Sequence, residues 1–104
     1  MKSVFKQDPG SCYICEHFLG QACHYNYLEE HHIFYGTANR AKSEKYGLKV
    51  KLCMPHHKGN INGNKAAVHF NPEYDRKLKE IGQRKFEENH SREEFRKEFG
   101  KSWL

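Results

Sequence analysis

Two histidine pairs concentrate reactive side chains in a short span of this sequence. The first lies in Glu29-Glu30-His31-His32-Ile33-Phe34-Tyr35-Gly36 and the second in Lys51-Leu52-Cys53-Met54-Pro55-His56-His57-Lys58, with Cys12-Tyr13-Ile14-Cys15 upstream. Thiolate and imidazole are the common protein ligands of zinc, and a two-residue gap lets both members of a pair reach one ion. Cys12 and Cys15 have that gap, and Cys53 and His56 repeat it. Together they make a Cys3His set, the composition of a closed structural zinc site. A Cys-x-x-Cys also reads as two unrelated thiols or as a redox pair, but a redox pair belongs between a strand and a helix of a βαβ unit, which this sequence does not offer. Cys23 has no partner at ligand spacing and reads as a buried or free thiol.

Among the histidines the zinc set does not use are His31, His32, His57 and His69. Adjacent residues on a helix diverge by about 100°, so if His56 points at the zinc, His57 points elsewhere. His57 and one member of the first pair are then candidates for holding a second metal. On a strand His31 and His32 face opposite sides, which suits a division in which one ligates and the other does acid–base work. A single such histidine would ordinarily be a surface residue or a hydrogen-bonded core residue. Two doublets flanking a strand and a knuckle favour the metal.

These residues must be positioned by a small scaffold. A chain of 104 residues fits one domain, here 1–104. With 37% hydrophobic and 30% charged residues the apolar core is thin, and small domains of this kind use a metal or disulfide as a staple. No basic segment followed by an apolar one opens the chain, and no apolar run reaches about 18 residues. This predicts a cytoplasmic protein, no membrane partner, and cysteines that act as ligands in place of disulfides. A formal charge of +5 and a pI near 9.0 favour a polyanionic partner, nucleic acid ahead of an anionic membrane surface.

Residues 1–11 form a polar lead-in with a turn at Asp8-Pro9-Gly10, and residues 15–27 show no regular pattern. Residues 28–35 suit a strand ending near Gly36, and residues 36–47 a polar loop with room for a helical turn. Leu48-Lys49-Val50-Lys51-Leu52 alternates strictly, the period of a half-buried strand with Leu48, Val50 and Leu52 inward and Lys49 and Lys51 in water. A short helix follows from Met54, broken by the Gly59–Asn64 run. Asn71 is an N-cap with Pro72 at the first helical position, and Tyr74, Leu78, Ile81 and Phe86 fall on one face of a helix that Gly82 weakens. Ser91 with Glu94 forms a capping box for a last helix, whose stripe Phe95, Phe99, Trp103 is assigned to the core.

From Cys12 to about Lys58 the chain resembles the HNH nucleases of the His-Me finger superfamily in their zinc-stapled form: Cys-x-x-Cys, a strand-borne His31-His32, then Leu52-Cys53-x-x-His56-His57. More loosely it is similar to the small phage and prophage HNH proteins, the recombination-enhancement nucleases among them, which also carry a Val-His soon after, here Val68-His69. The resemblance implies an α+β fold with a small zinc-stapled ββα-metal core over 12–70 and two C-terminal helices over 71–104. It implies a metal-dependent DNA endonuclease of little sequence specificity that leaves a 5′-phosphate, with Zn2+ as structural ion and a second, catalytic divalent ion, Mg2+, Mn2+, Ni2+ or Zn2+. Carried over by position, His32 is the general base, and His31 and His57 hold the catalytic ion. His69 is either a third ligand or a polar residue flanking a helix. Partners implied are DNA and phage recombination or packaging proteins.

One position departs from the pattern. The family's asparagine stands a few residues before the Leu-Cys step, where this chain has Gly47-Leu48. Asn39 is the only asparagine between the two pairs. Either Asn39 or a backbone carbonyl orients His32, or activity is weak or absent. Arg40, Lys42, Lys45 and Lys58 lie in the loops that would border the metal, as sequence-independent phosphate contacts or as a solvated surface. The competing class is a non-catalytic zinc module that binds nucleic acid or a protein.

Overall fold

The structure is a computed structural model that describes residues 2–57, 68 and 71–104. Lys58, His69 and the run expected to break the short helix lie outside the described residues. The fold is small and α+β. A π-type turn, Ile14–Phe18, precedes strand β1 (Glu29–His32), helix α1 (Asn39–Tyr46), strand β2 (Lys49–Leu52) and a short helix α2 (Met54–His57). Helices α3 (Pro72–Phe86) and α4 (Arg92–Phe99) follow. The strands pair as a two-stranded antiparallel sheet. Among the described residues no helix is long and apolar enough to cross a membrane.

The chain divides into two compact units that interleave along the sequence. One comprises Met1–Phe5, His32–Lys49 and Arg76–Leu104, the other Lys6–His31 and Val50–Asp75. We call them the helical unit and the cysteine unit.

In the helical unit, the stretch expected to be a loop is helix α1. Its sequence is polar all round, so amphipathicity does not explain it. Its anchor is Ser43, fully buried, whose hydroxyl donates to the Phe34 carbonyl at 2.7 Å and accepts from the Phe34 N–H at 3.0 Å. Lys42 reaches the Glu98 carbonyl in the last turn of α4. Gly47 ends the helix in the left-handed region at φ 69°, where a Cβ would collide with the Lys2 carbonyl. The core is aromatic: Phe34 packs on Phe95 and Phe99 with ring centroids 5.2 and 4.7 Å apart, and Phe86 on Phe95 at 5.4 Å. Gly82 is buried in α3 because a Cβ there would meet Ile33 and Phe34 at 3.1 Å. The cost of a helical glycine is offset by this close approach.

Three expectations need correction. Strand β1 covers only Glu29–His32 of the span 28–35. Lys49 faces inward, 7% exposed, because its ammonium donates to Glu44 Oε2 at 2.8 Å. Trp103 does not continue the α4 stripe. The capping box of Ser91 and Glu94 is present, and Phe95 and Phe99 are buried, but Gly100 at φ 88° turns the chain out of the helix before Trp103.

In the cysteine unit, Gln7 secures the lead-in to the outer side of β2: its Oε1 accepts from the Lys51 N–H at 2.8 Å, and its Nε2 donates to the Lys51 carbonyl at 3.1 Å. Ile14, Val50 and Leu52 are buried. Asn71 caps α3 as expected, its Oδ1 accepting from the Tyr74 N–H at 3.1 Å, and Tyr74 packs on Phe18 with ring centroids 5.6 Å apart.

Candidate metal centre

The cysteine unit brings Cys12, Cys15, Cys53 and His56 together, all buried, with their ligand atoms within 4.8 Å of one another. Cys15 lies in the turn at Ile14–Phe18 and Cys12 just before it, while Cys53 sits at the step between β2 and α2 and His56 within α2. Three sulfurs surround one ring nitrogen: His56 Nδ1 lies 3.6 Å from Cys12 Sγ, 3.3 Å from Cys15 Sγ and 3.3 Å from Cys53 Sγ. A single N–H cannot serve three acceptors. A tetrahedral zinc with ordinary Zn–S and Zn–N bonds sets each S···N edge at about 3.6 Å, so the donors stand where such an ion needs them.

The electrostatics agree. Burial pushes the Cys15 thiol up to about 12 and raises that of Cys12, so without a cation both stay protonated at neutral pH. Burial lowers His56 from its ordinary value and keeps the imidazole neutral, its ligating form. A divalent ion that replaces the thiol protons removes the cost of burying thiolates. The tyrosine hydroxyl of Tyr25 lies 3.5 Å from Cys15 Sγ, and the Cys12 N–H donates to Cys23 Sγ at 3.3 Å. Cys23 is therefore a neighbour of the site and not one of its four donors. These residues could hold zinc, or a metal like it.

The same unit places His31 and His57 edge to face, with ring centroids 5.2 Å apart. Both are buried, His31 at 2% and His57 at 8% exposure. Glu29, at the start of β1, puts Oε1 2.8 Å from His57 Nδ1. A carboxylate accepts, so Nδ1 carries the proton of this contact.

In the helical unit, His32 meets Glu44 of α1, with Nε2 2.9 Å from Oε1. Lys49, and then His32, hold the Glu44 carboxyl well below the usual carboxylate range. The ionised acid accepts from Nε2–H of the ring. Asn39, the residue expected here, opens α1 and makes no side-chain hydrogen bond among the described residues. His32 and Glu44 also line an open cleft of about 530 Å³ with Gly36, Thr37, Arg40 and Ala41.

Of the basic residues expected near phosphate, Arg40 lines this cleft. Lys42 is turned to the Glu98 carbonyl, and Lys45 lies over the Tyr46 ring at 5.2 Å. Reading the sequence missed Glu29 and Glu44. The adjacent Glu29-Glu30 was visible beside the first pair, but pairing with His57 is a contact across 28 residues that no local spacing encodes.

Comparison with protein-family models, with curated proteins and with solved structures found no match to this chain.

Proposed function

We propose that this protein is a metal-dependent endonuclease that hydrolyses DNA phosphodiesters with little sequence specificity, on an HNH-type ββα-metal core stapled by zinc at Cys12, Cys15, Cys53 and His56. The observation that carries the reading is the pair of carboxylate-oriented histidines, Glu44 on His32 and Glu29 on His57. A purely structural use of these imidazoles does not require each to have one nitrogen fixed as acceptor. Hydrolysis requires both: a base with a defined lone pair and a ligand with a defined lone pair.

His32 takes the proton from the attacking water, while Glu44 stabilises the imidazolium that forms and Lys49 keeps Glu44 ionised. His31 and His57 would hold the divalent ion, with Glu29 fixing the ring of His57. When bound, that ion supplies Lewis-acid stabilisation of charge on the phosphate and the leaving oxygen. Arg40 on the rim of the His32 cleft pairs with backbone phosphate, a contact that carries no sequence information.

The second reading, a zinc module that binds without cutting, is favoured by the completeness of the Cys3His set, which needs nothing from His31, His32 or His57. The two differ in metal content. Titration of the zinc-loaded protein with Mn2+ should reveal one exchangeable site, weakened in His57→Ala. Absence of that site leaves the binding module.

A further inference from the structure

The C-terminal tail carries a feature that hydrolysis does not use. Residues beyond Gly100 leave the helix, yet they are held firmly in the helical unit. The holder is Gln83 of α3, fully buried. Its Oε1 accepts from the Trp103 N–H at 2.6 Å, and its Nε2 donates to the Ser102 hydroxyl at 2.9 Å and to Glu87 at 2.7 Å. A buried amide that spends its acceptor and one of its donors on a tail fixes where that tail lies.

What it fixes is an indole that stays partly open to solvent. Lys101 lies 4.0 Å from the Trp103 ring centroid and Lys79 4.7 Å from it. Lys79 also lies 4.5 Å from the ring of Tyr35, which keeps 38% of its surface exposed. Each ammonium is drawn to the π-face of the ring it overlies. Two positioned aromatic rings interleaved with lysines have the composition of a surface that stacks nucleobases while pairing with their phosphates. Tyr35 runs directly into Gly36, which lines the His32 and Arg40 cleft of the same unit.

We propose that Tyr35 and Trp103, with Lys79 and Lys101, form a stacking platform for single-stranded DNA leading from the His32 cleft. The choice of DNA rests on the hydrolytic reading; the stacking rests on the tail geometry. The substrate class that follows is an unpaired segment, a flap or a gap in place of continuous duplex, because stacking on a protein ring requires an unstacked base.

Trp103 is the only tryptophan, so its emission reports the platform directly. The zinc-loaded protein, with no added divalent ion, is titrated with short oligo(dT), and in parallel with heparin, a polyanion that has no bases. Saturable quenching by oligo(dT) and none by heparin is the expected result. Trp103→Ala should weaken oligo(dT) binding, read by anisotropy of a labelled strand, roughly ten-fold, the loss typical of one stacked base. Trp103→Phe, which keeps a ring at the site, should retain most of it and guards against a folding defect in the alanine variant. Equal quenching by both polyanions, no quenching, or unchanged binding in Trp103→Ala overturns the platform. Quenching by oligo(dT) in a protein that never nicks DNA upholds the platform and removes the nuclease reading; nicking without quenching does the reverse.

Discussion

Glu44 divides its two carboxylate oxygens between His32 and Lys49: Oε1 lies 2.9 Å from His32 Nε2 and Oε2 2.8 Å from Lys49 Nζ. One residue of α1 thus ties the second member of the first histidine pair to Lys49. Glu44→Gln keeps the size but lets the amide present either a donor or an acceptor to the ring. DNA cleavage should fall by a large part of the roughly 10²–10⁴-fold that a positioned base supplies, with the far-UV circular dichroism and zinc content of wild type. Unchanged cleavage in Glu44→Gln would remove Glu44 from the mechanism.

Glu29 plays the corresponding part for His57. Losing such a carboxylate behind a metal-bound imidazole typically costs roughly 10- to 100-fold in affinity. Glu29→Gln should therefore weaken Mn2+ binding by that order and leave the tight zinc in place. Loss of zinc with unchanged Mn2+ binding would show that Glu29 serves the Cys3His site.

The zinc staple predicts a different kind of loss. Cys53→Ala takes one of four donors from the cluster and should abolish zinc retention and the cooperative melt, since small domains of this type draw folding free energy from the ion. Cys23→Ala, next to the site but outside the donor set, should keep both. A Cys53→Ala protein with full zinc and a sharp transition would rule out the staple.

Ser43 holds α1, and with it Glu44, to Phe34. Ser43→Ala leaves the N–H and the carbonyl of Phe34 without this hydroxyl and should destabilise the protein by about 1–3 kcal/mol in a urea titration. Cleavage should fall as well, because the helix that positions Glu44 loosens.

Acid should act on α4 through its cap. Hydrogen bonding to the Ser91 backbone, and then His90, lowers the Glu94 carboxyl from its ordinary value. The sign follows from that direction: the stabilisation is present above the usual carboxylate range and is lost as pH falls through the lowered folded value. Glu94→Gln should show a shallower loss of stability between about pH 4.5 and the acid limit; an identical slope would mean that the cap carries no proton linkage.

The Cys3His cluster was legible because the two-residue gap is a local property, repeated at Cys12-x-x-Cys15 and Cys53-x-x-His56. Helices α3 and α4 were legible for the same reason, through the Asn71 cap and the Ser91–Glu94 box. Helix α1 was not. Its residues are polar on every side, and what holds it is tertiary: the Ser43 clamp, the Lys42 bond to Glu98, and Gly47. Lys49 was assigned to water by alternation alone, which has no knowledge of Glu44 five residues earlier. Trp103 was carried into the α4 stripe although Gly100, a left-handed terminator, stood before it in the sequence. The carboxylate partners of His32 and His57 lie 12 and 28 residues away, and only the folded chain brings them together.

The division of the histidines is tested most directly by nicking of supercoiled plasmid DNA. With Mg2+, Mn2+, Ni2+ or Zn2+ added in turn, wild-type protein should convert the plasmid to the open circular form with at least one ion, and His32→Ala, folded and zinc-loaded, should be slower by roughly 10²–10⁴-fold. Equal nicking by His32→Ala, or no nicking by wild type with any of the four ions, would contradict the account.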